Sequence, residues 1–238
     1  MGWAGNISAL IERFSVLLPA KIISISSHTS KQLREQLHYK KEIALVSAGL
    51  DIHQIKRVKP SALQSDIIYT GRLLKHKRVD LIIHAVAKLR SSGTILKCII
   101  VGNGPEKDSL RALAKQLGVI DIVQFHDFYE DHDDVYALIK SSKVFVFPSE
   151  REGFGIVVIE ANACGKPVVV NTASTNAARD LVRHNRNGFT YNEGADELVQ
   201  ALKKALKKTE TVKKDCLKCA EQYDWDSLST RLAEVYAS

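Results

Sequence analysis

Short hydrophobic runs recur along the chain at the spacing of a parallel β-sheet covered by helices. From residue 66 onward, six such runs alternate with stretches of helical periodicity. The runs are rich in Val, Ile and Phe at successive positions, which is typical of strands buried on both faces. We predict strands at Ile67–Thr70, Cys98–Val101, Val123–Phe125, Val144–Phe147, Val168–Val170 and Phe189–Tyr191.

Helices are predicted between and after these strands, because apolar residues there recur every three or four positions. The alternation predicts an α/β fold, a Rossmann-like doubly wound parallel sheet of about six strands. The predicted helices are Arg78–Leu89, Pro105–Leu117, Asp134–Lys140, Ile156–Ala163 and Ala177–Arg183, followed by three near 195–207, 211–222 and 225–236.

The first quarter of the chain has a different pattern. Residues 7–18 have helical spacing that ends at Pro19, and a later helix is predicted at Thr29–Leu37 with Ser27 or Thr29 as its cap. Two short strands are predicted, at Ile22–Ile25 and Glu42–Val46. The polar stretch over residues 53–65 contains Pro60 and is predicted to be a linker.

Ligands of doubly wound sheets bind at the carboxyl ends of the strands, so the turns there are expected to carry the functional residues. The first turn places Arg72 and Lys77 beside Gly71, and both side chains suit phosphate oxygens. A solvated basic loop would explain the same residues. In the second turn, Gly102, Asn103 and Gly104 allow close backbone approach to a ligand.

A dinucleotide fingerprint is incomplete in the second turn. The G-x-G-x-x-G pattern requires a third glycine at the position that Lys107 occupies. The sequence therefore gives little support to a dehydrogenase.

The third turn, with His126, Asp127 and Phe128, is placed to offer groups to a nucleobase. His126 also fits a purely structural role as a hydrogen-bonded turn residue.

The fourth turn carries two carboxylates around a glycine-flanked helix start. Glu152 precedes Gly153, Phe154 and Gly155, and the predicted helix begins at Ile156. Unpaired N–H groups and the helix dipole make such a turn an anion site. A further acid, Glu160, lies among apolar residues of that helix, and it needs a partner such as a ribose diol. The turns together suit a nucleotide diphosphate-sugar.

The net charge of +7 is unevenly distributed. Residues 1–65 carry nine Lys and Arg against four Asp and Glu, whereas the remainder is nearly balanced. A solvated helix surface best explains the C-terminal lysines, with attraction to an anionic membrane surface as the alternative. No aromatic residues are interleaved with them, which disfavours nucleic acid as a partner. These lysines are Lys203, Lys204, Lys207, Lys208, Lys213 and Lys214.

The cysteines and the hydropathy favour a cytoplasmic protein, peripheral to a membrane if the lysine surface binds one. The four cysteines show no disulfide framework, and the Cys216–Cys219 pair lies in a Lys-rich helix without a second pair. No apolar run is long enough to cross a bilayer, and Glu12 and Arg13 argue against a signal peptide.

The ordered turns resemble those of retaining glycosyltransferases of the GT-B architecture, in the fourth family, the group 1 glycosyl transferases. Over residues 20–238 the resemblance rests on Gly71-Arg72 with Lys77, on Gly102 to Pro105, and on Pro148-Ser149 followed by Glu152-Gly153-Phe154-Gly155 and Glu160. It implies a hexosyltransferase that transfers a sugar from a UDP- or GDP-linked donor to a glycan or lipid-linked acceptor. It also implies retention of configuration and no cofactor or bound metal.

The resemblance also implies a role for each motif residue. Arg72 and Lys77 would neutralise the donor diphosphate as the glycosidic bond breaks, which makes them catalytic together with Glu152. Glu152 would hold the transferred sugar, and Glu160 the ribose. The remaining predicted donor-binding residues are Gly71, Gly102, Asn103, Gly104, His126, Asp127, Phe128, Gly153, Phe154, Gly155 and Ile156.

The resemblance divides the chain into four parts. Residues 1–52 would be a remnant of the N-terminal acceptor domain, 53–65 the linker, 66–222 the donor-binding domain and 223–238 a C-terminal crossing helix. The chain would thus be the C-terminal half of a GT-B fold. One departure is Asn176-Ala177-Ala178-Arg179-Asp180, where many members have Gly-Gly before an acid.

The resemblance implies that most of the first domain is missing, so the activity of this chain alone stays open. A truncated form, a natural fragment and one half of a split enzyme would all give this length. The alternatives are therefore a non-catalytic nucleotide-sugar-binding subunit, which requires a separate acceptor-binding domain or subunit, and a nucleotide-sugar epimerase.

Overall fold

The computed structural model describes residues 11, 14–16, 18–19 and 21–237. The helix predicted over residues 7–18 lies for the most part outside these residues and stays a prediction.

A two-stranded parallel sheet comes first, in which β1 (Ile22–Ser24) pairs with β2 (Ile43–Leu45). Helix α1 (Ser27–Gln36) connects them. Its cap is Ser26, whose hydroxyl accepts a hydrogen bond from the Thr29 N–H at 3.0 Å. The predicted caps, Ser27 and Thr29, are wrong because the extended backbone conformation that a cap requires belongs to Ser26.

The segment predicted as a linker contains a short helix, α2 (Ile52–Arg57). Asp51 caps it by accepting the Gln54 N–H at 2.7 Å. Ile52 and Ile55 are buried in the main core, which explains why a mostly polar segment folds here. The predicted domain boundaries themselves stay a prediction.

Six parallel strands form the large sheet, which confirms the predicted fold class. In space they run in the order β5-β4-β3-β6-β7-β8. Val, Ile and Phe side chains in the central strands are fully buried, as helices on both faces require. The strands are β3 (Ser65–Thr70), β4 (Cys98–Val101), β5 (Val123–His126), β6 (Ser142–Phe147), β7 (Val168–Asn171) and β8 (Gly188–Tyr191).

The strand order reverses between β3 and β6, which pair with Ile67 opposite Val144. Ligands of doubly wound sheets bind at the carboxyl ends of the strands at such a point. The connecting helices are α3 (Val79–Ser91), α4 (Lys107–Gln116), α5 (His132–Ser141) and α6 (Ile156–Ala163), with 3₁₀ turns at Lys75–Lys77 and Ala177–Leu181.

One long helix, α7 (Gly194–Glu221), replaces the two predicted at 195–207 and 211–222. Residues 208–210 are Lys, Thr and Glu, which permit helix, and Val212 is buried beyond them. The predicted α-helix at Ala177–Arg183 is instead a 3₁₀ turn over Ala177–Leu181.

The start of the last helix, α8 (Trp225–Ala237), is hydrogen-bonded to Leu50 in the first quarter of the chain. The Leu50 N–H donates to the Tyr223 carbonyl at 2.8 Å, and the Trp225 N–H donates to the Leu50 carbonyl at 3.1 Å. A Cβ at Gly49 would lie 2.6 Å from the Trp225 ring, so this contact requires glycine.

Candidate functional site

The turns after β3, β4 and β5 are joined by backbone hydrogen bonds. The Leu73 N–H donates to the Asn103 carbonyl at 2.9 Å, and the Gly102 N–H donates to the His126 carbonyl at 3.0 Å. Gly102 has a φ of +145°, and a Cβ there would lie 1.9 Å from the Gly71 carbonyl oxygen. Glycine is therefore required for the first two turns to pack together.

A cavity of about 340 Å³ lies at these strand ends. It contains residues predicted from three of the four turns and from α6, namely Gly71, Arg72, Gly102, Asn103, Phe128 and Glu160. Residues that the sequence did not single out complete the lining, namely Thr70, Val101, Tyr129, His132, Val135 and Val157.

Arg72 is the exposed cation of this cavity. Among the described residues, its guanidinium makes no hydrogen bond or ion pair. Five donors in a planar fork are thus available to an anion.

Glu160 is buried, with 8% of its surface exposed, although it carries a carboxyl group. Its Oε1 accepts a hydrogen bond from the Tyr136 hydroxyl at 3.4 Å. Burial raises the pKa of the Glu160 carboxyl above its ordinary value, and the proximity of His132 and the Tyr136 hydrogen bond oppose this shift. Burial of a carboxylate is costly unless hydrogen bonds compensate it, so ligand hydroxyls that donate to Glu160 would be favoured.

The N-terminus of α6 is open. In the described part of the chain, the backbone N–H groups of Gly153, Phe154, Gly155 and Ile156 have no acceptor. Gly155 caps the helix with a φ of +94°, and a Cβ there would lie 2.5 Å from the Ala178 Cβ. Four free donors at the positive end of a helix are an arrangement that can hold an anion.

Lys77 and Glu152 form an ion pair with 2.5 Å between Nζ and Oε1. Both side chains are largely buried, at 17% and 13% exposure, and the Lys77 ammonium lies 5.4 Å from the centre of the Phe147 ring. Hydrogen bonds from the Glu152 N–H to the Thr175 carbonyl and from the Ala177 N–H to the Glu152 carbonyl fix the backbone of this loop. Two residues predicted to contact different parts of the donor therefore contact each other in the free protein.

The third turn contributes less than its sequence suggests. His126 Nδ1 lies 3.1 Å from the Tyr129 hydroxyl, and Asp127 forms an ion pair with Lys107. Neither His126 nor Asp127 lines the cavity, whereas Phe128 does and is 64% exposed.

Two hydrophobic residues of the fourth turn point in different directions. Phe154 is buried against Tyr223, with ring centres 6.1 Å apart, so its predicted contribution is limited to its backbone. Ile156 is 37% exposed at the helix start.

The departure at Asn176 has a structural explanation. Asn176 is fully buried, and its Nδ2 donates to the carbonyls of Ser149 at 3.0 Å and Asn171 at 2.8 Å. Its Oδ1 accepts the Ala178 N–H at 3.1 Å. Asn176 thereby holds the turn after β7 against the turn that carries Glu152.

Sequence reasoning missed His132 and Tyr136, which place an imidazole and a hydroxyl beside Glu160. They are four residues apart on α5, so they lie on one face of that helix. That spacing was the signal that could have found them.

Within the described ranges, no group of three or more His, Cys, Asp or Glu residues is placed to hold a metal ion. No described helix combines the length and hydrophobicity needed to cross a membrane.

Comparison with known proteins assigns these features to a family. A family model described as "Glycosyl transferases group 1" matches residues 51–233. A glycosyltransferase of Methanocaldococcus jannaschii, itself uncharacterized, is 33% identical over 178 residues, which cover 71% of this chain and 44% of the relative. A D-inositol 3-phosphate glycosyltransferase of Streptomyces bingchenggensis is 30% identical over 183 residues, covering 71% of this chain and 40% of the relative.

Solved structures share the fold. Sucrose-phosphate synthase from Thermosynechococcus elongatus aligns with a TM-score of 0.84 at 20% identity, over 98% of this chain and 61% of that chain. Anabaena HepE, solved in complex with UDP and glucose, aligns with a TM-score of 0.78 at 26% identity, over 92% of this chain and 63% of that chain. This chain spans about half the length of the curated relatives it matches.

Proposed function

The chain belongs to the group 1 glycosyl transferases, and we propose that it binds the nucleotide diphosphate-sugar donor of a retaining glycosyltransferase. The observation that carries this proposal is the cavity at the strand ends, where the unpaired Arg72 and the buried Glu160 lie together. The match to the family model covers the turns that build it.

The diphosphate would bind between Arg72 and the open N-terminus of α6. Four N–H groups without an acceptor and one guanidinium without a partner both favour an anion. They would stabilise the charge that develops on the diphosphate when the glycosidic bond breaks, which is how electrostatic catalysis lowers a barrier.

The nucleoside would occupy the 340 Å³ cavity. Glu160 would accept hydrogen bonds from the ribose hydroxyls, and these would stabilise the carboxylate form that its burial disfavours. Phe128, with an exposed ring at the wall, would border the base, with His126 and Asp127 behind it. The HepE structure with UDP and glucose supports a UDP-linked donor, and a GDP-linked donor is the alternative.

Glu152 would hold hydroxyl groups of the transferred sugar, and Lys77 would add positive charge near the diphosphate. In the free protein these two neutralise each other at 2.5 Å, so donor binding would have to rearrange the pair. Arg72 is therefore the cation that would meet the donor first.

Transfer requires an acceptor, which we propose to be a glycan or a lipid-linked acceptor. Because this chain spans about half the length of its relatives, catalysis is proposed for the donor-binding half together with an acceptor-binding half.

A calorimetric titration with UDP, GDP and their sugars tests donor binding by the chain itself. We expect one nucleotide to bind, and Arg72→Ala to weaken binding about tenfold or more because a charge-assisted contact to phosphate is lost. Arg34→Ala is the matched control, since Arg34 is an exposed arginine of α1 that does not line the cavity. Absence of binding by every nucleotide, or equal losses in both variants, would contradict the proposal.

A further inference from the structure

A second pocket, of about 420 Å³, lies near the amino end of β7, whereas the cavity lies at the carboxyl ends of the strands. It is formed by the end of α2, by the turn from α6 into β7 and by α7. Among the described residues that line it, none is an Asp or a Glu. We call it the basic pocket, and its cations are Lys56, Arg57, Lys59, Lys140, Lys166 and Lys213.

Lys140 has a structural role in the basic pocket. Its ammonium donates to the carbonyls of Ile55, Lys56 and Val58, at 2.6 Å for Val58. Three carbonyls at the end of α2 thus satisfy the donors of Lys140. The described lining residues include no carboxylate that could neutralise the other cations.

Among the cations of the basic pocket, Lys166 would be stabilised most by a bound anion. It is half-buried, and none of the described residues forms a hydrogen bond or an ion pair with its ammonium. Burial and the charge of Lys213 lower the pKa of Lys166, and the charge of Glu210 opposes the shift only in part. A partly desolvated ammonium without a partner is destabilising, and an anion would relieve the cost.

Gly165 allows the side chain of Lys213, a second cation of the pocket, to pack close to the turn that carries Lys166. A Cβ at Gly165 would lie 3.3 Å from the Cγ and 3.5 Å from the Cε of Lys213, so the lysine stem packs across this turn. Gly165 has a φ of +76°, a conformation that favours glycine. The Lys213 stem thus packs beside the turn that carries Lys166, whose pKa the Lys213 charge lowers. This packing limits the freedom that the Lys213 side chain would lose on binding.

We propose that the basic pocket is a second anion site, which binds the phosphate groups of a free polyphosphorylated molecule or of a lipid headgroup. Lys166 and Lys213 would contact the innermost phosphate, and the exposed Lys56, Arg57 and Lys59 would contact the outer charges. The volume exceeds that of one phosphate, so it accommodates a ligand with several anionic groups. This site is separate from the donor site and does not depend on the proposed function.

Titration with inorganic tripolyphosphate tests the basic pocket. The test variant is Lys166→Met with Lys213→Met, which keeps the aliphatic stems. The control is Lys203→Met with Lys207→Met, which removes two exposed and unpaired charges from α7 and leaves both sites intact. We expect the test variant to lose the basic-pocket binding event or bind at least about tenfold more weakly, and the control to bind as the wild type does.

Vesicle sedimentation separates the two sources of phosphate. If a lipid headgroup is the ligand, the wild type and the control will sediment with phosphatidylglycerol vesicles but not with phosphatidylcholine vesicles, and the test variant will stay in solution. If a free molecule is the ligand, tripolyphosphate will bind but none of the chains will sediment.

The donor site is also expected to bind tripolyphosphate, and all three chains retain it. A single binding event in the wild type that disappears in the test variant would support the basic pocket and count against the donor site. Equal binding by the test variant and the wild type in both assays, equal losses in test and control, or no binding by the wild type would overturn the proposal. Removal of an unpaired half-buried charge should not impair folding, which thermal unfolding without ligand checks.

Discussion

At the scale of single residues, the charged side chains in the free protein are paired differently from what the sequence motifs suggest. Arg72 is unpaired, whereas Lys77 and Glu152 are 2.5 Å apart and largely buried. A neutralised ammonium attracts phosphate less than a free one does. Glu152 therefore has two effects in our account, because it provides a contact for the sugar and it restrains Lys77.

Glu152→Gln separates these two effects. The variant would free the Lys77 charge, so we expect UDP alone to bind about threefold to tenfold more tightly. The additional affinity that the sugar of a UDP-sugar contributes would fall, because an amide is a weaker acceptor for hydroxyls than a carboxylate is. Calorimetric titrations with UDP and with the UDP-sugar measure both quantities.

Glu150→Gln is the control for general electrostatics. It removes the same charge from the same turn, but Glu150 pairs with Arg78, which also has Asp80 as a partner. A loss of UDP affinity in Glu152→Gln, or the same gain in both variants, would show that Glu152 does not restrain Lys77.

At the scale of elements, the site depends on glycines that let neighbouring turns approach. Gly102 is the tightest case, since a Cβ there would lie 1.9 Å from a backbone oxygen of the first turn. The resulting contact aligns the turn that carries Arg72 with the turn that carries Asn103.

Gly102→Ala should therefore destabilise the fold by about 2 kcal/mol or more and weaken donor binding. Gly93→Ala is the matched control, because Gly93 also has a positive φ, of +83°, but no atom lies within 4 Å of its added Cβ. It should cost only about 1–2 kcal/mol, from backbone strain. Chemical denaturation measures both changes, and equal costs would show that the steric contact does not matter.

Elements buried on both faces were predicted well from the sequence. The six strands and the helix Ile156–Ala163 follow from continuous apolar runs, whose burial leaves no alternative conformation of comparable stability. The cap at Ser26 was missed because Ser27 and Thr29 are equally acceptable capping residues in the sequence. The helix α2 and the unbroken α7 were missed because they depend on tertiary packing of a few apolar residues, Ile52, Ile55 and Val212. The Lys77–Glu152 pair was missed because 75 residues separate its members.

At the scale of the whole molecule, α6 connects the two anion sites that we propose. Its N-terminus opens towards the proposed diphosphate position, and its C-terminal turn carries Lys166 in the basic pocket. α6 follows the carboxyl end of β6 and precedes the amino end of β7, and its eight residues span about 12 Å. The two proposed sites therefore lie at opposite ends of the strands. The segment that follows β1 lies beside the start of α6, where the Ser26 hydroxyl donates to the Gly153 carbonyl at 2.6 Å.

A crystal structure of the chain with the nucleotide-sugar that binds most tightly tests the central claim most directly. Our account predicts the diphosphate at the N–H groups of Gly153 to Ile156 and Arg72, and the ribose hydroxyls at Glu160. It also predicts that Lys77 and Glu152 have moved apart. A nucleotide bound elsewhere, or bound in the cavity without contact to Arg72 or Glu160, would contradict it.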